Sequence, residues 1–397
     1  MDWEIVADGR TMLVGSVRNL STAPQATETV ELGYTEEDLA GFEGDLYLNV
    51  HYYLKKRDGV LPAGFEVAYD QILIAEEPNE IVFTDDDFYI EDAEGALVLT
   101  GSLAAKGTGL VPRVSPWKIA FDKKTGFLSA YEIDGKNLVV NPPMPCFGRA
   151  VTENDLGAQL QRKCKKWLYP EFPLKSFEAA TVDGCEQVTA KYLVCEAAEV
   201  TLTYTVHGDG SVEICEQMRD AGDLKQEPML LRFGMEFSMP GEYTLLDFYG
   251  KGPFENYEDR QSAALVGHYF QRVEDQYHYG YVRPQESGAH TGVKWMRIID
   301  EGGNGLELCA GTPFSVTALP FARKAMDLSL LKNGHSLDLK PLAHENDRSA
   351  GGTYVNVDLR QMGLGCINSW GAIPRREYLL PAGDYDFEFV IRPVLNK

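Results

Sequence analysis

Val200-Thr201-Leu202-Thr203-Tyr204-Thr205-Val206-His207-Gly208-Asp209-Gly210-Ser211-Val212-Glu213-Ile214 reads as a strand, a turn and the start of a returning strand. Val200, Leu202, Tyr204 and Val206 alternate with three threonines, the period of two that puts successive side chains on opposite faces of a strand. Gly208-Asp209-Gly210 supplies turn residues, and Val212 and Ile214 resume the alternation, so the stretch predicts a β-hairpin. The same alternation recurs in Leu46, Leu48, Val50, Tyr52 and Leu54. Asp122-Lys123-Lys124-Thr125-Gly126 and Glu301-Gly302-Gly303-Asn304-Gly305 are further turns between apolar stretches. Short strands with Gly and Asp punctuation predict an all-β chain built of sandwiches. No repeat of roughly 33 to 45 residues is visible, which argues against a propeller or solenoid.

One segment departs from this pattern. Leu156, Leu160, Cys164 and Trp167 recur at helical spacing behind Thr152, a candidate N-cap, and predict one short helix over 153–168. Small residues, glycines and prolines concentrate within 104–116 and suit a long loop or linker. The division that follows is a small sandwich over 1–78, connecting strands or linker over 79–116, and a large sandwich over 117–397.

At 397 residues, with 44% hydrophobic and 24% charged residues, the composition is that of a globular protein with more than one core. A net charge of −23 argues against nucleic acid and against an anionic membrane surface. The 7 cysteines are scattered, without a Cys-x-x-Cys pair, as small buried thiols in a reducing compartment are. Met1-Asp2-Trp3-Glu4 does not open a signal peptide, so the expected location is cytoplasmic, unless a longer parent carries a signal. Gly363-Leu364-Gly365 lacks the third glycine of a dinucleotide fingerprint. The 7 histidines include no His-Glu-x-x-His, and no nucleophile elbow appears. Glycoside hydrolysis needs two carboxyl groups, but 60 acidic residues make counting uninformative.

Four ordered blocks carry a resemblance. Gly250-Lys251-Gly252-Pro253-Phe254-Glu255-Asn256-Tyr257-Glu258-Asp259-Arg260 resembles the Gly-x-Gly-Pro-x-Glu-Asn-Tyr-x-Asp-Arg signature of the C-terminal region of family 2 β-galactosidases. Tyr281-Val282-Arg283-Pro284-Gln285-Glu286-Ser287-Gly288, followed by Thr291 and Trp295, continues in that family's order. Phe147-Gly148-Arg149-Ala150-Val151-Thr152-Glu153-Asn154-Asp155-Leu156-Gly157 is similar to its Arg-Ala-x-x-Asp-Asn-Asp-x-Gly block, with Glu153 in place of the commoner Asp. Gly363-Leu364-Gly365-Cys366-Ile367-Asn368-Ser369-Trp370-Gly371 resembles its Gly-Gly-Asp-Asp-Ser-Trp motif, from which Cys366, Ile367 and Asn368 depart. Residues 46–68 look like the end of the immunoglobulin-like domain that precedes the large sandwich in the family.

The resemblance implies a partial immunoglobulin-like sandwich followed by a galactose-mutarotase-like supersandwich. It also implies that the family's catalytic barrel, with its acid/base and nucleophile glutamates, is supplied by polypeptide outside this chain, so that no catalytic residue is expected here. The substrate would be a galactoside held jointly with that barrel, and the parent enzyme a homo-oligomer. Mg2+ and Na+ would bind on the barrel, with no cofactor or metal in this chain. Substrate contact would come from Trp370, whose indole would stack on sugar, and from a mobile loop rooted at Asn154, Asp155 and Gly157. Read from the residues alone, a Trp in a β-protein is equally a core residue, and Asp155 equally a helix-start carboxylate. Arg149, Glu255, Asn256, Asp259, Arg260 and Glu286 would form a structural polar network. Two other readings stay open: a mutarotase-like epimerase using His290 and Glu286, and a stand-alone carbohydrate-binding module.

Overall fold

The computed structural model describes residues 1–397 except 85, 105–113, 282, 328–351, 366, 369, 370 and 397. The boundary region within 104–116 and Trp370 therefore lie largely or wholly outside the described residues. In the 200–214 hairpin, Val200, Leu202, Tyr204 and Val206 are fully buried. Each fully buried aliphatic side chain contributes about 1.5–3 kcal/mol, which fixes the strand's register because a one-residue slip would expose all four. Val206 pairs with Val212 across the turn, Tyr204 with Ile214, and Val200 with Met218. The turn closes through Gly210 N–H to the His207 carbonyl at 3.0 Å, and Gly210 takes φ +74. The turns at 122–126 and 300–305 also form, each with an aspartate side chain accepting a backbone N–H: Asp122 from Lys124 and Asp300 from Asn304.

The first sheet contains β1 (Asp2–Ala7), β2 (Arg10–Ser16), β3 (Leu46–Tyr53) and β4 (Glu66–Ala75) in the order β2-β1-β3-β4. Trp3, Ile5, Leu48 and Val50 make its small core. Its other face meets the large unit through Lys294 Nζ to Asp45 (2.8 Å), Gln71 to Val266 and Tyr69 to Ala263. A second, 5-stranded sheet runs β5 (Tyr89–Asp92), β6 (Ala96–Ala104), β7 (Val114–Asp122), β8 (Leu128–Ile133) and β9 (Lys136–Asn137) in chain order. Leu97, Leu99, Trp117, Ile119 and Phe121 pack it into the same core as Val188, Leu202 and Tyr204. The strands of the 79–116 stretch thus belong to the large sandwich.

The third sheet is 12-stranded. Its strands are β10 (Asn141–Cys146), β11 (Leu174–Val182), β12 (Cys185–Val194), β13 (Ala198–Val206), β14 (Val212–Asp220), β15 (Arg232–Met239), β16 (Leu245–Gly252), β17 (Leu265–Arg272), β18 (Ala289–Ile299), β19 (Gly305–Leu319), β20 (Thr353–Gln361) and β21 (Tyr385–Val394). The path is β10-β15-β20-β19-β21-β14-β13-β12-β11, and β18, β16 and β17 branch from β19.

Between β10 and β11 the chain forms three short helices rather than one: α1 (Glu153–Gly157), α2 (Leu160–Lys163) and α3 (Lys165–Leu168). Thr152 caps the first, accepting Asp155 N–H. Gln159 then turns left-handed, with φ +63, and ends the run. Leu160, Cys164 and Trp167 are buried as their spacing foretells. Periodicity reports which side chains face the core, and a break that keeps the same face inward leaves it unchanged.

Candidate functional site

The segment 147–152 carries the chain out of β10 and places Arg149 beneath α1. Arg149 is fully buried, and its Nε and Nη2 donate to the two Asp155 oxygens at 2.9 and 2.8 Å. Burial works to lower the Arg149 pKa, and the paired carboxylate more than offsets it and raises it. The same Asp155 accepts the Thr152 N–H at 2.9 Å, so one carboxylate both caps α1 and anchors the arginine. Nη1 of Arg149 donates to the Met362 carbonyl (2.5 Å) and to Gln361 Oε1 (3.2 Å), and Nη2 to the Gly363 carbonyl (3.2 Å). Asn154 Nδ2 adds a bond to the Leu364 carbonyl at 3.1 Å.

Those contacts hold the carbonyl side of residues 362–364. Asp259 holds the amide side: its two oxygens accept the N–H groups of Leu364 (2.8 Å) and Gly365 (2.7 Å). A Cβ on Gly363 would come within 2.6 Å of the Asp259 carboxyl carbon, so a glycine is required for this approach. At the far end of the loop, a Cβ on Gly371 would lie 2.1 Å from the Gly157 carbonyl carbon. Residues 149–157, Asp259, residues 361–365 and Gly371, far apart in sequence, therefore meet. Trp370 precedes Gly371 in sequence and lies outside the described residues.

A second group adjoins the first. Glu255 accepts from Arg260 Nη2 (2.6 Å), the Tyr281 hydroxyl (2.7 Å), Ser287 Oγ (3.0 Å) and Gly288 N–H (2.7 Å). Burial would raise its pKa, but the Gly288, Tyr281 and Arg260 donors prevail and lower it. Asn256 donates to the carbonyls of Lys251 and Phe254 and accepts from Thr291. Glu286 pairs with Arg232 at 2.8 Å, and Gln361 Nε2 reaches it at 3.3 Å. Gln361 thereby joins Arg149 to the Glu286–Arg232 pair. Behind that pair, Asp358 sits 3.5 Å from Arg232 Nε, and burial pushes its pKa up to about 7.

Neither Gln361 nor Asp358 stands out in the sequence, since β20 also carries Thr353, Asn356 and Arg360, and Arg232 opens β15 with no motif around it. Only the proximity of Gln361 to Gly363 could have signalled it. His290 is buried, with Nδ1 3.0 Å from the Lys251 carbonyl and Nε2 2.8 Å from Gln276 Oε1. Burial pushes its pKa down to about 4, and a neutral ring carries one N–H, which donates to only one of these two oxygens. Glu286 points instead into the Arg232 pair. Among the described residues no three His, Cys, Asp or Glu side chains cluster in a metal-holding arrangement.

The family model for the beta galactosidase small chain matches residues 113–391, and that for beta-galactosidase domain 4 matches residues 1–75. A beta-galactosidase of Halalkalibacterium halodurans is 34% identical over 279 residues, 69% of this chain and 26% of the relative. One of Priestia megaterium is 28% identical over 386 residues, 94% of this chain and 34% of the relative. The chain spans about a third or less of the length of these curated relatives. Among solved structures, a galactose mutarotase-like protein from Lactobacillus casei aligns with a TM-score of 0.36 and 9% identity, over 75% of this chain and 100% of that one.

Proposed function

The chain belongs to the beta-galactosidase small-chain family, and on that premise we propose that it forms one wall of a site hydrolysing terminal β-galactosides, completed by polypeptide of the kind that fills the rest of its relatives. The observation that supports this reading is that residues 149–157 and Asp259 hold residues 361–365, and Gly157 meets Gly371, before and after Trp370 in sequence. In this reading the barrel's two carboxyl groups act as acid/base and nucleophile in a retaining reaction. The indole of Trp370 supplies the apolar face for the sugar, and the turn at Gly157 gates entry. The chain alone then hydrolyses nothing appreciable. A reducing compartment, the cytoplasm, suits its scattered thiols.

The test is nitrophenyl β-galactoside hydrolysis by the purified chain, alone and co-expressed with the part of the Priestia megaterium relative that this chain does not match. The expected result is no turnover alone, activity in the pair, and a KM raised at least tenfold by Trp370→Ala. Turnover by the isolated chain that a point mutation within it abolishes would overturn the proposal, as would paired activity indifferent to Trp370→Ala.

A further inference from the structure

We propose that the cleft between the 253–263 segment and the turn at 278–281 is a separate saccharide-binding site for a neutral pyranoside. The cleft has a volume of about 650 Å³, within the usual range for small-molecule sites, and is lined by Phe254, Glu255, Arg260, Ser262, His278 and Tyr281 among others. Phe254 is 48% exposed at its brim although it is a large aromatic side chain. The imidazole of His278 meets the Tyr281 ring edge-on at 4.6 Å, giving the opposite wall a second aromatic surface. Apolar ring faces of this kind suit the C–H face of a pyranose.

The polar groups suit the hydroxyls of such a ring. Arg260 is held by Glu255 through Nη2 and by the Tyr281 hydroxyl through Nη1. The guanidinium has five N–H donors, so Nε–H and the remaining Nη protons are left for a ligand. Its other face is covered by the Tyr257 ring at 5.3 Å, which fixes the plane of the fork. The exposed Ser262 hydroxyl and the exposed His278 ring add a donor and an acceptor on either side. Glu255 neutralises Arg260, and the chain as a whole carries −23, so nothing in the cleft favours an anion. Pre-organised donors beside aromatic faces, with no net charge, are what a neutral sugar requires. The lining residues all belong to this chain, so occupancy does not depend on the barrel.

Isothermal titration calorimetry of the full chain with lactose and with methyl β-galactopyranoside tests the assignment. Saturable binding is expected, weakened at least tenfold by Phe254→Ala and by Ser262→Trp, which fills the cleft from an exposed position, and unchanged by Trp370→Ala. Saturation-transfer NMR on the same samples should show sugar C–H protons receiving magnetisation in the wild type and losing it in Phe254→Ala. Absence of saturable binding to either sugar overturns the inference. So does binding that survives both cleft variants but disappears in Trp370→Ala, which would place the sugar at the hydrolytic rim. If the cleft anchors polypeptide instead, neither sugar binds and Phe254→Ala weakens activity of the co-expressed pair. That pattern also sinks the proposal while leaving the hydrolytic reading intact.

Discussion

Gly371 rests directly on the backbone of Gly157: a Cβ at 371 would stand 2.1 Å from the Gly157 carbonyl carbon and 2.3 Å from the Ala158 nitrogen. The contact is between two main chains, so no side-chain rotation can relieve a larger residue, and Gly371 also takes φ +82. Gly371→Ala is expected to destabilise the chain by about 1–3 kcal/mol, through left-handed backbone and displacement of the turn after α1. Urea denaturation measures it, with Gly311→Ala as the control. Nothing lies within 4 Å of the Cβ built at Gly311, and its substitution should stay within about 0.5 kcal/mol of wild type.

Arg149 and Asp155 are both essentially removed from water, at 0% and 2% side-chain exposure. Removing either partner strands the other as an uncompensated buried charge, for which losses of about 3–5 kcal/mol are typical. Arg149→Met should therefore approach that loss, and Arg149→Lys should be costly too because an ammonium cannot make the parallel pair of bonds. The double variant Arg149→Met/Asp155→Leu should be less destabilised than the two single effects added together. A double-mutant cycle in urea measures the coupling. Additive single effects would mean that Arg149 and Asp155 are not coupled as their paired hydrogen bonds require.

Much of this was legible in the residues. Alternation around Tyr204 announces a sheet strand buried on one face, and Thr152 with Asp155 announces a helix start, because both signals are local. The glycines at 363 and 371 are recognisable as parts of a motif, but the reason for them is not. Each is required by a partner over 100 residues away in sequence, Asp259 and Gly157. Arg232, Gln361 and Asp358 were invisible for the same reason. A polar residue in a strand reads as solvent-facing until a second element covers it; Arg232 and Gln361 are met by Glu286 on a distant loop, and Asp358 lies behind Arg232. The helix over 153–168 fails for a different reason: the left-handed Gln159 keeps the apolar face inward while breaking the hydrogen-bond ladder.

Asp358 gives the chain an unusual pH response. Burial raises its folded pKa to about 7, with Arg232 only partly opposing, while an unfolded Asp titrates near ~3.9. Between those values the folded state binds more protons than the unfolded one, so this group's contribution to stability falls as pH rises from about 4 to about 7. A tenfold difference in proton affinity between the two states corresponds to about 1.4 kcal/mol. Buried His290 opposes it, since its folded pKa is lowered to about 4, and stability from that group rises over about pH 4 to 6.5. The comparison with Asp358→Asn isolates the aspartate. Wild-type stability relative to the variant should decline by a few kcal/mol between about pH 4 and 7 in urea titrations. A difference that is flat or rises with pH would contradict the buried, proton-retaining carboxyl.

The edge of the first sheet sets a limit on solubility. Among the described residues β4 pairs with β3 alone, at the edge of its sheet, and its Val67, Ile72, Leu73 and Ile74 are 51%, 49%, 48% and 37% exposed. Exposed apolar edges template pairing with other strands, and proteins commonly blunt them with lysine, which this edge lacks, its register with β3 shifting near both ends. The purified chain should therefore show light scattering that grows with concentration. Ile72→Lys should reduce it, because a charge on the exposed edge opposes close approach of a second strand. The fold should survive, since Ile72 lies outside the Trp3–Ile5–Leu48–Val50 core, and thermal unfolding of the variant should match wild type within about 0.5 kcal/mol. If association is unchanged by Ile72→Lys but falls with added salt, surface charge rather than the β4 edge drives it.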